Sequence, residues 1–346
     1  MIKIIRRLRV VVNSSLSQNT ITGLKVVMAM ALLAVLFYGD VIDLVTLGQL
    51  ITHPQVVMHI VVIVLVSLIL SGLRWNLLLS CQGIHVSGIK SVQIVFITVF
   101  LSSFLPGGFL TSDALRTAYV IREAPGQRTA ATWSIFFDRV VGFYSLFLLC
   151  FIFSWSYRDA ISQHVSLQLL GSIAAGVSFG LPLAIFVFLR WSHTPWGGWL
   201  FSRVRSTQLR WILDRLVHAF DLYKETPKRM ALVLFLGVFN HALTIACILV
   251  IVVAIGFGTL NGSDYVLVTL WSTAANALPI TPGGVGVGEG SFDQIAHMLE
   301  VVPSTAGYGT IFLVFRIVSS MALLPGLVFY LIYRTDLTNI LRDSTP

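Results

Sequence analysis

The feature that most constrains this chain is a series of apolar runs, each near the roughly 20 residues that a helix needs to cross a bilayer. Full-length runs occupy about 21–38, 56–80, 129–157, 167–190, 230–256 and 309–333, with short polar stretches between them. Two more, about 91–105 and 265–281, are cut short by proline and glycine at what would be membrane depth. In hydrocarbon the backbone N–H and C=O groups must find partners within the protein, so runs of this length fold as helices. The predicted fold is an all-α polytopic membrane protein, one transmembrane domain over residues 1–346, with about six full spans and two re-entrant helical hairpins. Composition agrees. Of 346 residues 56% are hydrophobic and 11% charged, and mean hydropathy is +0.87, whereas soluble domains are about 25% charged. What remains outside the runs leaves no room for a sizeable soluble enzyme domain.

The net charge of +8, from 23 Lys and Arg against 15 Asp and Glu, would suggest nucleic acid in a soluble protein. Here the basic residues sit at the ends of apolar runs, where the positive-inside bias and anionic headgroups account for them. No nucleic-acid partner is expected. With the N-terminus cytoplasmic and both short runs re-entrant, the inside segments hold Lys3, Arg6, Arg7, Arg9, Lys90, Arg116, Arg122 and Arg128. They also hold the eight basic residues from Arg190 to Arg229, then Arg334 and Arg342, while the outside loops 39–55, 257–264 and 297–308 hold none. A full crossing by 91–105 would strand Arg116, Arg122 and Arg128 outside, so re-entry fits better, and both termini are expected in the cytoplasm. The basic start MIKIIRRLRV precedes a run without a small-x-small cleavage pattern, so 21–38 reads as a retained span. Cys81, Cys150 and Cys247 lie in apolar runs without metal-ligand spacing, so neither a disulfide framework nor a metal site is expected.

The two interruptions look like copies of one device. The first reads SSFLPGGFLTSDALR from Ser102 to Arg116, and the second NALPITPGGVGVGEGSF from Asn276 to Phe292. Each has Pro-Gly-Gly (Pro106, Gly107, Gly108; Pro282, Gly283, Gly284), then an acid (Asp113; Glu289), then a span containing an arginine followed by Val-Val or Ile-Val (Arg139; Arg316). From Pro106 to Arg139 is 33 residues and from Pro282 to Arg316 is 34. On the topology above the first hairpin enters from inside and the second from outside, which predicts inverted repeats over about 56–157 and 230–333. Residues 195–229 are expected to form a cytoplasmic amphipathic interfacial segment, with Leu209, Ile212, Leu213, Leu216, Phe220 and Tyr223 at helical spacing. A linker helix bound to headgroups is the plainer reading of it, a partner site the sharper one.

Proline removes a donor and glycine permits reversal, so both strings must break their helices. A broken helix at membrane depth survives only when buried in protein or lining a polar cavity. Helices restarting near Thr111–Asp113 and near Glu289–Ser291 would aim amide donors and a positive dipole end there, which suits an anion. Ser291 either caps the second helix, at capping-box spacing from Gln294, or contacts a ligand. Arg139 and Arg316 lie well inside their spans, each at a cost of about 2.5 to 3.5 kcal/mol on insertion scales. Asp138 adjoins Arg139 but points about 100° away, so Arg139 is expected to turn to a hairpin, to Glu289 or to a ligand. The alternative is that both arginines tie the hairpin tips through backbone carbonyls. Arg74, near the end of its span, either snorkels to headgroups or contacts substrate, with snorkelling preferred. Arg116 shares a helix face with Asp113 and either neutralises it or extends a basic rim. Asn240, His241 and Asn276 are expected to hydrogen-bond between helices. GGVGVGEG lacks the Lys-[Ser/Thr] of a P-loop and follows no strand, and no hydrolase or metal motif appears, so no enzyme activity and no cofactor are expected.

At these residues the chain resembles the lysylphosphatidylglycerol synthase transmembrane-region family, also called flippase-like domain proteins. The resemblance rests on Arg74-Trp75-Asn76, on the string from Ser102 through Asp113 to Tyr119, on Asp138-Arg139-Val140-Val141-Gly142, and on Leu278 to Phe292. It covers almost the whole chain. Thr111-Ser112-Asp113 departs from the expected Gly-Gly-Asp. The resemblance implies a multi-pass protein of a bacterial or archaeal cytoplasmic membrane, associated with translocating or handling phospholipids or polyprenyl-phosphate-linked glycolipids. No soluble aminoacyl-transferase domain is read in these 346 residues, so lysyl transfer is not implied.

Together these readings predict a lipid transporter, facilitative or ion-coupled, whose hairpins meet near the midplane around a cationic cavity for a phosphate-bearing headgroup. Its expected contacts are Arg139, Arg316, Arg74, Arg116, Asp113, Glu289, Ser291, Pro106, Gly107, Gly108, Pro282, Gly283, Gly284 and Gly286, with Glu289, Asp113 and Asp138 as candidates for ion coupling. The competing readings are a membrane-embedded lipid-phosphate transferase and a noncatalytic subunit of an envelope-lipid enzyme.

Overall fold

The computed structural model describes Gly48 and residues 53–104, 109–158, 162, 164–192, 194, 203, 207–256, 260–278, 280–300 and 307–343. The expected first span, 21–38, and the first turn, Pro106, Gly107 and Gly108, lie outside these, as do 195–202 and 204–206. Helices account for the regular structure among the described residues. They are α1 (Pro54–Cys81), α2 (Gly88–Phe104), α3 (Phe109–Glu123), α4 (Arg128–Ser156), α5 (Val165–Ser192), α6 (Thr207–Lys224), α7 (Pro227–Ile255), α8 (Gly262–Asn276), α9 (Val287–Leu299), α10 (Gly309–Met321) and α11 (Leu324–Asp343). A single 3-10 turn, Pro282–Gly284, lies between α8 and α9.

Five stretches are long and apolar enough to cross a membrane: α1, α4, α5, α7 and the combined stretch Gly309–Tyr333. The chain is a multi-pass membrane protein. Four of the five match the expected runs within three residues at each end. The fifth, expected as one helix, is two, because Pro325 has no N–H to continue the ladder and sits instead in the first turn of α11. The shorter helices α2, α3, α8 and α9 have 17, 15, 15 and 13 residues. At 1.5 Å per residue they reach only about 20–25 Å, short of the roughly 30 Å hydrocarbon core.

The helices fall into two units of the same order, long, short, short, long: α1 to α4, and α7 to α10 with its continuation α11. In each unit successive helices pack on one another and the first packs on the last. Between units, α1 packs on α7, α1 on α10, α7 on α4, α8 on α4 and α2 on α11. Exchanging the two units leaves this pattern unchanged. Helices α1 and α7 are antiparallel. Cys81 Sγ lies 3.2 Å from Thr226 Oγ1, Arg229 donates to Ser80 Oγ at 3.4 Å, and Asn240 donates to Ser71 Oγ at 2.7 Å while accepting from Ser67. Lipid tails are as apolar as leucine, so such interhelical hydrogen bonds and close packing, rather than escape from water, hold spans together.

Helix α8 is buried nearly all round, with Tyr265, Leu267, Val268, Thr269, Leu270, Trp271 and Ser272 inside. That is the condition under which the irregular backbone following it can persist at membrane depth. The apolar face of α6 docks on protein, not on headgroups alone: Phe220 and Tyr223 meet Phe137 of α4 with ring centroids 4.8 and 4.4 Å apart.

Candidate functional site

Each unit carries an arginine–carboxylate centre between its second short helix and its last span. In the first unit α3 brings Asp113 and Arg116, one turn apart, against Asp138 and Arg139 of α4 and Arg74 of α1. Arg139 meets Asp113 in a two-pronged pair, Nε to Oδ2 at 3.1 Å and Nη2 to Oδ1 at 2.6 Å, the geometry that makes arginine–carboxylate pairs strong. Asp138 turns away, as a helix neighbour must. Its Oδ1 accepts from Arg74 Nε at 2.8 Å and its Oδ2 from Arg116 Nη1 at 3.2 Å. Three guanidinium groups therefore share two carboxylates, which leaves one positive charge in excess within the set.

Arg74 does not snorkel, contrary to the sequence expectation. It is buried, and two glycines make room for its guanidinium: a Cβ at Gly237 would lie 3.4 Å from Nη1 and 2.3 Å from Ser145 Oγ, and one at Gly142 would touch Nη2 at 3.7 Å. Arg116 is 95% buried, only 5% of it remaining exposed, and its guanidinium lies 5.4 Å from the centre of the Trp75 ring, a cation–π contact. Its Nε and the Ser112 hydroxyl are buried and have no hydrogen-bond partner among the described residues. The two stand at i and i+4 on one face of α3. Leaving such groups unsatisfied costs about 1 to 3 kcal/mol apiece, so among the described residues these two donors lack acceptors in a set that carries one excess positive charge.

The second centre is built differently. Arg316 of α10 spends every nitrogen on its own hairpin. Nε donates to Glu289 Oε1 at 2.6 Å, Nη1 to the Gly283 carbonyl at 2.6 Å, and Nη2 to Asn276 Oδ1 at 2.8 Å, to the Gly284 carbonyl at 3.1 Å and to Glu289 Oε2 at 3.2 Å. Glu289 is fully buried, and its Oε2 also accepts the Gly286 N–H at 2.8 Å, a capping contact for α9. One arginine meets one carboxylate, and carbonyls satisfy the rest. The turn itself needs glycine: Gly283, Gly284 and Gly286 have φ of 65°, 70° and 81°, a region closed to most side chains. A Cβ at Gly284 would also meet Asn276 Oδ1 at 2.2 Å.

Thus the structure brings Arg74, Arg116, Arg139, Asp113 and Asp138 together in one set, and Arg316, Glu289, Gly283, Gly284, Gly286 and Asn276 in another. Arg139 pairs with Asp113, not with the Glu289 that the sequence also offered. Ser291 does not cap α9. That helix begins at Val287, four residues earlier, with Gly286 as its N-cap, and α3 likewise starts at Phe109, ahead of Thr111. Asn240 hydrogen-bonds across helices as expected, and His241 does so through its Nε2, 3.1 Å from the Gly142 carbonyl.

Sequence reading missed one further cluster. Around the junction of α9 and α10, His297 Nδ1 lies 2.9 Å from Glu300 and its Nε2 3.7 Å from Asp293, Tyr308 donates to Glu300, and the Gly309 N–H donates to Asp293 at 3.3 Å. The spacing of 293, 297 and 300 is helical and was there to be read. Among the described residues no three His, Cys, Asp or Glu side chains converge as metal ligands.

A family model, that of the lysylphosphatidylglycerol synthase TM region, matches residues 21–326. Comparison with curated proteins and with solved structures returns no match.

Proposed function

Because the chain belongs to the lysylphosphatidylglycerol synthase TM-region family, a family of membrane proteins with lipid-related function, we propose that it is a flippase-like lipid transporter. In this reading the first charged centre receives the phosphate-bearing headgroup of a phospholipid or polyprenyl-linked glycolipid while the acyl or prenyl chains stay in the bilayer. The observation that carries the proposal is the excess arginine. Among the described residues Arg74, Arg116 and Arg139 are set against two carboxylates, Asp113 and Asp138, and Arg116 Nε and Ser112 Oγ are buried without a hydrogen-bond partner. A phosphate supplies both the charge and the acceptors, and the first turn of α3 adds amide donors and a positive dipole end.

Arg316 and Glu289 hold the second hairpin closed and are not substrate contacts or the coupling site. The antiparallel packing of α1 on α7, the exchangeable contact pattern and the short α2, α3, α8 and α9 support two inverted repeats with re-entrant hairpins, the broken-helix plan of secondary transporters. Transport is facilitative or ion-coupled, with Asp113 and Asp138 as the carboxylates that a coupling ion would address. The protein sits in a bacterial or archaeal cytoplasmic membrane with both termini in the cytoplasm and acts without enzymatic turnover or a cofactor.

The test is reconstitution into vesicles carrying a fluorescent phosphatidylglycerol or phosphatidylcholine reporter, with accessibility of the reporter to an impermeant quencher followed over time. The parent chain should move the anionic reporter faster than protein-free vesicles do, and Arg116→Gln should remove that gain. Equal rates for parent and empty vesicles overturn the proposal. Headgroup turnover by purified protein in detergent, where no second leaflet exists, would instead establish the transferase reading.

A further inference from the structure

A cleft of about 600 Å³ lies between α4, α5 and α6, away from both charged centres, and its size falls within the range of about 300 to 1,000 Å³ typical of ligand sites. Its back wall is one face of α4: Phe137, Val140, Val141 and Tyr144 stand at i, i+3, i+4 and i+7. Asp138 lies about 100° and Arg139 about 200° round the same helix from Phe137, so the cleft and the first charged centre occupy different sides of α4.

The front wall is α5, which carries Pro182 in its interior. Proline deprives the Ser178 carbonyl of its usual i+4 donor, and the Tyr144 hydroxyl reaches that carbonyl at 3.4 Å. The carbonyl that Pro182 leaves without a donor is thereby fastened to α4, beside the cleft. Phe186 lines the cleft while remaining 66% exposed, so the opening faces sideways, where hydrocarbon surrounds a spanning helix.

The rim has a different chemistry. Arg190, two residues before the end of α5, and Lys224, the last residue of α6, line the cleft where these helices end. No carboxylate lines the cleft with them, and neither has an ion-pair partner among the described residues. An apolar slot open to the side, with two cations at interfacial level, matches a lipid that carries negative charge in its headgroup.

We propose that this cleft holds one acyl tail of an anionic glycerophospholipid whose headgroup lies against Arg190 and Lys224. It is a second lipid site, distinct from the transport centre and sharing α4 with it as a common wall.

Photolabelling tests this directly. The full chain is reconstituted in phosphatidylcholine vesicles doped with phosphatidylglycerol or phosphatidylcholine bearing a diazirine on one acyl chain, irradiated, and the labelled peptides are mapped. The phosphatidylglycerol probe should label the facing stretches 137–144 and 182–189 about tenfold more than the phosphatidylcholine probe, a ratio within reach of two interfacial cations. Arg190→Gln combined with Lys224→Gln should bring the ratio to unity, and Ile185→Trp, which fills the slot from the peripheral helix, should suppress the label. Equal labelling by the two probes overturns the proposal, and so does no label on either stretch, which is what filling of the cleft by protein would give. The readout is the position of the label. It stands whether or not the chain translocates lipid, and Arg116→Gln should label like the parent.

Discussion

The two arginine centres occupy equivalent places in the two units and are bonded differently. Arg139 and Arg316 each pair with an acid on the preceding short helix, 26 and 27 residues back, so the frame is shared. In the second unit the pair is closed: one cation, one anion, two glycine carbonyls and an asparagine satisfy each other. In the first, Asp138 pairs with Arg74 and Arg116, and among the described residues the set holds one more cation than carboxylates and two donors without partners. In the proposed reading one frame carries a clasp in one unit and a receptive site in the other, and the difference lies in two further arginines, Arg74 and Arg116, set against one further carboxylate, Asp138.

The largest effect should come from opening the clasp. Arg316→Gln or Glu289→Gln leaves a charge buried without its partner, at about 3 to 5 kcal/mol, and thermal unfolding in detergent should show a large loss or failure to fold. Parental stability in both variants would remove the distinction between the units. Gly284→Ala comes next: its φ of 70° and the Asn276 oxygen in the path of a Cβ should cost about 1 to 3 kcal/mol, read by the same unfolding measurement.

Arg116→Gln sharpens the comparison from the other side. It removes the surplus charge while Asp138 keeps Arg74, so stability should change by no more than about 1 kcal/mol, the net worth of an ordinary hydrogen bond. A loss as large as that of Arg316→Gln would make the first centre a clasp too. Smallest should be Asn240→Ala, which removes the bonds from α7 to Ser67 and Ser71. Interhelical hydrogen bonds of this kind average about 0.6 kcal/mol, and a loss of several kcal/mol would mean that the α1–α7 contact, and not the centres, governs stability.

Much of this frame was legible before any coordinates. The run lengths gave α1, α4, α5 and α7, and the order acid, then span with arginine, marked the pairs Arg139–Asp113 and Arg316–Glu289. Local chemistry was harder to read. Ser291 had the spacing of a cap, yet α9 begins at Val287, because Glu289 reaches back to the Gly286 N–H and the left-handed glycines end the turn sooner. The break before Leu324 was hidden within a long apolar run, where Pro325 and Gly326 were the signal. Arg74 misled because the end of a span favours snorkelling in general. Its partner, Asp138, lies 64 residues away, and the room made by Gly142 and Gly237 exists only once α1, α4 and α7 have packed. The surplus cation is a property of that packing, so no spacing within the sequence announces it.

The central claim, that the first centre receives an anion and the second holds the fold, is tested most directly by measuring transport and stability on the same samples. Arg116→Gln and Arg316→Gln are reconstituted side by side, the rate for anionic phospholipid is normalised to folded protein, and thermal midpoints are recorded. The account predicts that Arg116→Gln loses about tenfold or more of the anionic-lipid rate, the worth of one charge-assisted contact, at a midpoint close to that of the parent. It predicts that Arg316→Gln loses stability while whatever remains folded transports at the parental rate. An Arg116→Gln protein that transports like the parent, or a stable Arg316→Gln protein that does not transport, would contradict it.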